Sequence, residues 1–497
     1  MKNKKIGKEL YDYQKADIDH VFERLANCPS NYNLLYQLPT GGGKTVIFSE
    51  ITRRYIELTG KKVLILTHRI ELSVQTSKML REFGVYSKVI NSSVKTLPDQ
   101  ADYKCFVAMV ETLKNRLNDE VFSMENIGLV IIDEAHYNSF RKLFKFFEKC
   151  FILGVTATPL SSNISMPMKD SYEELIEGSS IQSLINGGFL SEATTYSYDV
   201  RLGNLQVGIN GDYTVKSSEE LYSNAKMQSK LLYAYKQRAA GKKTLIFNAG
   251  INTSKHVYET FADAKIPVRH LDSLVSKQER KEILKWFKET PDAVLTSVGI
   301  LTTGFDEPTI QTIILNRATR SLSLYLQMIG RGSRILPNKK SFDVIDVGNN
   351  TARFGLWASE FDWQKIFRSP EYFLNNLITD ADIERAFKYR MPEEIRQQFA
   401  KSETVIFDID KLCKKAEAEG GRTRKILDQS IEQHAKIVLE NADEFGQALG
   451  LIRLLEDDIS DRIRIYSYHI SKSTKNFRDW LHTDYKKQLK KQVTAGF

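Results

Sequence analysis

The sequence predicts an α/β protein of two tandem parallel-sheet lobes followed by a mainly α-helical C-terminal region. Three observations carry that prediction. Short β-branched and apolar runs alternate with longer stretches of helical spacing, the pattern of a parallel sheet with helices on both faces. The alternation occurs twice along the chain. After about Phe367 the strand-like runs stop, and good helix formers at helical spacing take over.

The first set of strand-like runs is 32–37, 62–67, 105–110, 129–132 and 151–155, each followed by a polar or glycine-bearing turn or a helical stretch. The second set is 244–248, 268–271, 293–297, 312–316 and 342–346. Between the sets, 199–223 holds Gly203, Gly208 and Gly211 with little apolar periodicity, so it reads as a connection or small insertion. Helical stretches are expected at 380–389, 392–401, 426–441 and 444–457. The division predicted is 1–198 for the first lobe, 199–223 for the connection, 224–368 for the second lobe, and 369–497 for a helical region with a basic tail.

With 497 residues, 42% hydrophobic and 27% charged, the chain has the length and composition of a folded protein of several domains, neither disordered nor disulfide-stapled. Of its net charge of +9, the segment 462–497 carries +7, from nine basic and two acidic residues. That tail is a candidate for contact with phosphates, or else a solvated lysine-rich helix face. Cys28, Cys105, Cys150 and Cys413 stand far apart with no C-x-x-C pair, which suggests neither a zinc site nor a disulfide framework and points to a reducing compartment. Residues 1–10 have no apolar segment behind them, and no run reaches the roughly 18 residues of a membrane span, so a cytosolic protein is expected.

In open α/β sheets ligands bind where loops leave the carboxyl ends of the strands, and the chemistry-bearing residues are found there. After the first strand comes Leu38-Pro39-Thr40-Gly41-Gly42-Gly43-Lys44-Thr45. Glycines let backbone N–H groups turn around phosphates, a lysine adds a point charge, and a threonine hydroxyl can ligate Mg²⁺. This is a phosphate-binding loop of the Walker A type, with Leu38 in place of its leading glycine. The fourth strand runs into Asp133-Glu134-Ala135-His136. There Asp133 suits Mg²⁺ and Glu134 suits deprotonation of an attacking water, and the same acids could also cap a helix starting at Ala135. The fifth strand ends in Val155-Thr156-Ala157-Thr158-Pro159. Late in the second set stands Gln327-Met328-Ile329-Gly330-Arg331-Gly332-Ser333-Arg334, with two arginines expected on one helical face, where they could stabilise charge on a transferring phosphoryl group.

At this point the chain resembles the superfamily 2 helicases and translocases with a D-E-A-H box and two RecA-like lobes, over roughly residues 8–350. Tyr13-Gln14 resembles the adenine-reading segment, Thr67-His68-Arg69 with Leu72 and Gln75 resembles motif Ia, and Val110-Glu111-Thr112-Leu113 resembles motif Ib. The run 244–248 resembles motif IV, and Thr302-Thr303-Gly304-Phe305-Asp306 closes a segment like motif V. The resemblance implies ATP and Mg²⁺ as cofactors. Gln14, Gly41, Gly42, Gly43, Lys44 and Thr45 would hold the nucleotide, with Thr45 and Asp133 on Mg²⁺ and Glu134 as base. Gly304 and Asp306 would touch nucleotide from the second lobe, Gln327 would position water or γ-phosphate, and Arg331 and Arg334 would form a finger pair. His136, Thr156 and Thr158 would couple nucleotide state to the track, along which Arg69, Thr112, Phe247 and Thr296 would lie.

The stretches Gly211-Asp212-Tyr213 and Asp346-Val347-Gly348-Asn349 are similar to the RadD-like bacterial DNA helicases, and phage branch-migration helicases are a second comparison. The likeness implies a nucleic-acid-stimulated ATPase that moves along, unwinds or remodels duplex or branched DNA in repair, recombination or replication. It also implies the cytoplasm of a bacterial or phage-infected cell. DNA is favoured over RNA as the track. An RNA helicase, an ATP-gated clamp and the motor subunit of a restriction-type complex stay open beside it. Protein partners would dock through 369–497. In the tail, Tyr466, Tyr468, Phe477, Trp480 and Tyr485, interleaved with Arg462, Arg464, Lys472, Lys475 and Arg478, would either stack on exposed bases or pack the helical region.

Overall fold

A computed structural model of the chain describes residues 9–94, 99–302, 304–387, 391–402, 405–419, 423–470 and 475–497. Thr303, Lys472, the side chain of Lys475, residues 1–8 and the last two positions of the helical stretch expected at 380–389 lie outside the described residues. The chain forms two compact units, residues 1–380 and 381–497.

The first unit contains both lobes. Its first sheet has seven parallel strands: β1 (Asn33–Gln37), β2 (Lys62–Thr67), β3 (Ser87–Ile90), β4 (Cys105–Met109), β5 (Ile127–Asp133), β6 (Phe151–Thr156) and β7 (Glu174–Glu177). They run in the order β3-β4-β2-β5-β6-β1-β7. The second sheet has six: β8 (Glu192–Ser197), β9 (Thr244–Asn248), β10 (Val268–Leu271), β11 (Val294–Ser297), β12 (Thr312–Asn316) and β13 (Ser341–Asp346). Their order is β10-β11-β9-β12-β13-β8, again parallel throughout. All ten sequence-predicted runs are strands, because central parallel strands are buried on both faces and read as continuous apolar runs such as Leu129–Ile132.

The three strands missing from the prediction, β3, β7 and β8, lie at sheet edges and carry mixed residues such as Ser87-Lys88-Val89-Ile90. Strand β8 corrects the boundary predicted at 198. It pairs along its whole length with β13, from Glu192 against Ser341 to Ser197 against Asp346, so the second lobe begins before residue 199. The expected connection at 199–223 is also part of that lobe. Val200, Leu202, Tyr213 and Tyr222 lie in its core, and Val215–Tyr222 is a helix capped by the Thr214 hydroxyl. Asp212 accepts from the Thr319 hydroxyl (2.6 Å) and the Arg320 N–H (2.7 Å), while Asn349 exchanges hydrogen bonds with both backbone groups of Val200. The two stretches that carried the finer likeness therefore act here as fasteners within the second lobe.

The second unit is helical, and its compact body begins at Ala381 rather than 369. Helices Ile409–Ala418, Arg424–Asn441, Phe445–Leu454, Glu456–Tyr468 and Lys475–Gly496 enclose a core that includes Leu427, Ile431, Val438, Leu455 and Ile459. Along the last helix, Leu481, Tyr485, Leu489 and Val493 recur every fourth residue and are all buried. The packing alternative for the tail is the one observed at Tyr466, Tyr485, Arg462 and Arg464, all buried, which removes them as a base-stacking surface. Trp480 is 53% exposed, and Lys487, Lys490 and Lys491 are exposed beside it on the outer face.

A polar chain runs through this core. The Tyr485 hydroxyl meets Ser430 Oγ and His434 Nδ1 at 2.8 Å each, His434 Nε2 meets Asp458 at 2.7 Å, and Arg462 closes on Asp458 at 2.8 Å. Burial, with the Arg462 charge adding to it, pushes the His434 imidazole down to about 4. The unfolded chain then takes up the proton first, near pH 6.5, so the contribution of His434 to stability is complete above that pH and is lost below it. It amounts to roughly 3 kcal/mol by pH 4. Urea unfolding of the helical unit followed from pH 7 to 4.5 is expected to weaken with falling pH, and less steeply in His434→Gln.

Candidate functional site

Strands β5, β6 and β1 are neighbours, with Asp133 opposite Val155 and Thr156 opposite Gln37. Their carboxyl ends therefore bring the acidic turn, the threonines and the glycine loop to one edge of the first sheet. In the loop Gly41 (φ 97°) and Gly43 (φ 86°) adopt left-handed conformations that glycine alone enters freely, and Gly43 opens the helix Lys44–Thr59. The N–H groups of that helix's first turn face the loop, and Thr45 stands half-buried in the same turn. Lys44 Nζ donates to the Leu38 carbonyl at 3.2 Å, so the residue that replaces the usual leading glycine anchors the lysine through its backbone. Gln14 lies against the loop: a Cβ on Gly43 would come within 2.6 Å of its Nε2. The Tyr13 hydroxyl donates to the Gly42 carbonyl at 2.7 Å. Tyr11 and Tyr13 pack on Phe189, at 4.6 and 5.0 Å between rings, an aromatic cluster that local spacing does not reveal because Phe189 is remote in sequence.

Glu134 is built into a tight turn rather than a helix. Its φ is 54°, a left-handed conformation uncommon for a glutamate, and the Ala135 N–H donates to Val155 on the adjacent strand at 2.9 Å. The helix expected from Ala135 does not form, and a 3-10 helix begins only at Asn138. His136 Nδ1 lies 3.1 Å from Thr156 Oγ1, which in turn is bonded to the backbone of Thr158, so the three proposed coupling residues form one cluster. Burial and the adjacent Glu134 carboxylate raise Asp133. Burial acts the same way on Glu134, but nearby positive charge, Lys44 first and Arg331 with it, outweighs it and holds Glu134 below the usual carboxylate range. The turn thus presents one carboxylate kept ionised beside one that holds a proton more readily.

The second lobe reaches this edge through the segment that follows helix Leu322–Ile329. Gly330 and Gly332 end that helix, so Arg331 and Arg334 leave it in a turn and do not share a helical face as expected. A Cβ on Gly330 would lie 2.8 Å from the Thr40 side chain, and one on Gly41 would lie 2.8 Å from Ser333 Oγ and 3.0 Å from an Arg334 Nη. Arg334 Nε donates to Asp306 at 2.6 Å, and Arg331 Nη1 donates to the Phe305 carbonyl at 2.7 Å. Burial, then Arg334, lowers the Arg331 guanidinium to about 10, while Glu134 pulls the other way.

On the other side of the cleft, Arg69 Nη1 donates to the Ile300 carbonyl at 3.1 Å and Gln75 Nε2 to that of Gly304 at 2.7 Å. Arg69 and Gly304 are therefore engaged in joining the lobes. Thr112 is half-buried in the first turn of helix Val110–Asn118. Phe247 and Thr296 are buried inside the second lobe, where Thr296 Oγ1 accepts from Asn248 and meets Ser254 Oγ at 2.9 Å. Their side chains do not line a groove, a correction to the expectation; strand-end motif residues serve the lobe's interior here.

Buried polar atoms without a hydrogen-bond partner around this edge include Thr40 Oγ1, Glu134 Oε2, Thr158 Oγ1, Gln327 Nε2 and Arg331 Nε. Buried polar groups are nearly always satisfied, so such a set from both lobes marks a place where a polar ligand fits. A cavity of about 160 Å³ opens beside Thr40, walled by Gly178, Leu326, Trp357 and Trp363, and neither Lys44 nor the carboxylates line it.

Known proteins align with these two lobes. Residues 7–161 match the family model described as type III restriction enzyme, res subunit, and residues 224–336 match the helicase conserved C-terminal domain. The chain is 29% identical over 337 residues to a 51.5 kDa protein of Lactococcus phage (isolate 7-9), covering 67% of this chain and 69% of that one. It is 31% identical over 360 residues to "Putative ATP-dependent helicase IRC3" of Saccharomyces cerevisiae, covering 68% of this chain but only about half, 51%, of that protein. S. cerevisiae Dbp5, solved bound to RNA and ADP BeF3, shares the fold with a TM-score of 0.50 at 16% identity, over 73% of this chain and 98% of that one. Together these findings support a superfamily 2 helicase with two RecA-like lobes and the ATP-hydrolysing chemistry of that class.

Proposed function

We propose that the chain is a D-E-A-H-type motor that hydrolyses ATP in the cleft between its lobes and uses the resulting motion on nucleic acid, DNA ahead of RNA. The convergence of unpaired buried polar atoms from both lobes on one glycine loop carries this reading. Gly41, Gly42, Gly43 and Lys44 would cradle the phosphates, with Gln14 and the neighbouring aromatics at the base end. Thr45 and Asp133 are hard oxygen donors that suit Mg²⁺, which when bound neutralises phosphate oxygens. Glu134 would take a proton from water as the water oxygen bonds the γ-phosphorus and the bond to the departing ADP oxygen breaks. Gln327 would orient that water, and Arg331 and Arg334 would face the charge that develops. His136, Thr156 and Thr158 would pass the state of the γ-phosphate on. Because the site is split, it is complete only when the lobes close, and cycles of closing and opening would shift one grip on a phosphodiester backbone past the other. Such grips read phosphates and are sensitive to salt.

The test is steady-state ATP hydrolysis without nucleic acid and with single-stranded DNA, duplex DNA, forked DNA and RNA. Stimulation by duplex or forked DNA above RNA is expected. Stimulation mainly by RNA would move the track to RNA, and no stimulation by any of them would favour a motor subunit or gated clamp, a reading the likeness to the restriction res model supports. Lys44→Ala is expected to lose nucleotide binding and turnover together, measured by fluorescent-nucleotide titration beside the hydrolysis assay.

A further inference from the structure

His68 stands at the end of β2 between two structural attachments. Its ring lies 4.4 Å from that of Tyr137, which lies 4.3 Å from that of His136, so three rings form a file beside the acidic turn. Tyr137 is held there because its N–H donates to the Glu134 carbonyl at 3.1 Å. The next residue, Arg69, reaches the other way and donates to Ile300 of the second lobe. The dipeptide therefore touches the catalytic turn on one side and the opposing lobe on the other.

Both ring nitrogens of His68 are shut off from solvent and have no hydrogen-bond partner. An imidazole used only as a packing surface would leave two polar atoms unsatisfied at a cost of about 1–3 kcal/mol each. The Glu134 Oε2 atom beside the file has no hydrogen-bond partner and lies 3.5 Å from His136 Nδ1. His136 Nδ1 lies closer to Thr156, at 3.1 Å, than to Glu134 Oε2, at 3.5 Å, whereas both nitrogens of His68 keep their hydrogen-bonding capacity.

We propose that His68 is a positioning residue for Glu134: in the closed, loaded site its neutral ring donates an N–H toward the Glu134 carboxylate and holds it in line with the attacking water. Burial keeps the ring neutral at working pH, lowering it to about 4 against the pull of Glu134. A neutral ring can steer the base without neutralising it. Through Arg69, the position of His68 also follows the approach of the second lobe, so the base would be aligned only when the site is complete. This inference rests on the ATPase reading above.

The experiment compares full-length wild type, His68→Phe and His68→Gln in ATP turnover with forked DNA, in binding of a fluorescent non-hydrolysable ATP analogue, and in thermal unfolding. Phenylalanine keeps the stack on Tyr137 and removes both nitrogens, whereas glutamine restores a side-chain N–H. His68→Phe is expected to lower kcat about tenfold or more with the KM for ATP, analogue affinity and melting temperature unchanged, and His68→Gln to recover most of the loss. Wild-type kcat in His68→Phe overturns the inference and leaves the ATPase reading standing. So does a loss that tracks affinity or melting temperature, or one that glutamine does not recover. Wild-type protein with no ATP turnover overturns both.

Discussion

Glu134→Gln is expected to bind ATP as the wild type does and to lose turnover by at least about a thousandfold, in the range of removing a proton acceptor together with the alignment it provides. The amide is nearly isosteric with the carboxylate, so the strained turn and the bond from Ala135 to Val155 are retained. What disappears is the ionised oxygen that nearby positive charge, Lys44 first and Arg331 with it, holds in its charged form. Single-turnover hydrolysis with pre-bound nucleotide separates this from a binding defect. Turnover at the wild-type rate would remove Glu134 from the base role and leave the left-handed turn without its assigned chemistry.

Arg331→Ala is expected to lower kcat by roughly a thousandfold, as loss of an arginine finger does, with little change in nucleotide affinity. The two arginines are not equivalent in this structure. Arg334 is tied to Asp306 at 2.6 Å, whereas Arg331 has one bond to a carbonyl, a buried unpaired Nε and the Glu134 charge within its field. Arg334→Ala is therefore expected to cost less, because part of its charge is already spoken for. Measured kcat and KM for both variants check the order, and equal losses would make them a pair acting as one.

Much of this was legible in the sequence. A central parallel strand is apolar on both faces, and a glycine loop, an acidic strand end and an arginine segment each announce themselves within a few residues. Edge strands β3, β7 and β8 did not, because half-exposed strands carry polar residues that break the run. The glycines of 199–223 hid Val200, Leu202, Tyr213 and Tyr222, which are buried singly and so show no period. His68 was named only within the motif Ia likeness and Phe189 not at all, because their settings are made by rings and turns distant in sequence. The tail left two readings open because charge and aromatic content count residues without regard to face, and a four-residue spacing put Leu481, Tyr485, Leu489 and Val493 into the core.

The left-handed backbone at Glu134 means that stability and chemistry ask for different residues at one position. Glycine would relax a conformation that costs on the order of 1–3 kcal/mol, and asparagine would tolerate it better than glutamate, yet neither brings a carboxylate to that point. The strand that leads into it holds the glutamate there, because β5 is clamped between β2 and β6. The hydrophobic interior of the first lobe thereby acts as the counterweight that keeps one carboxylate aimed against its own backbone preference.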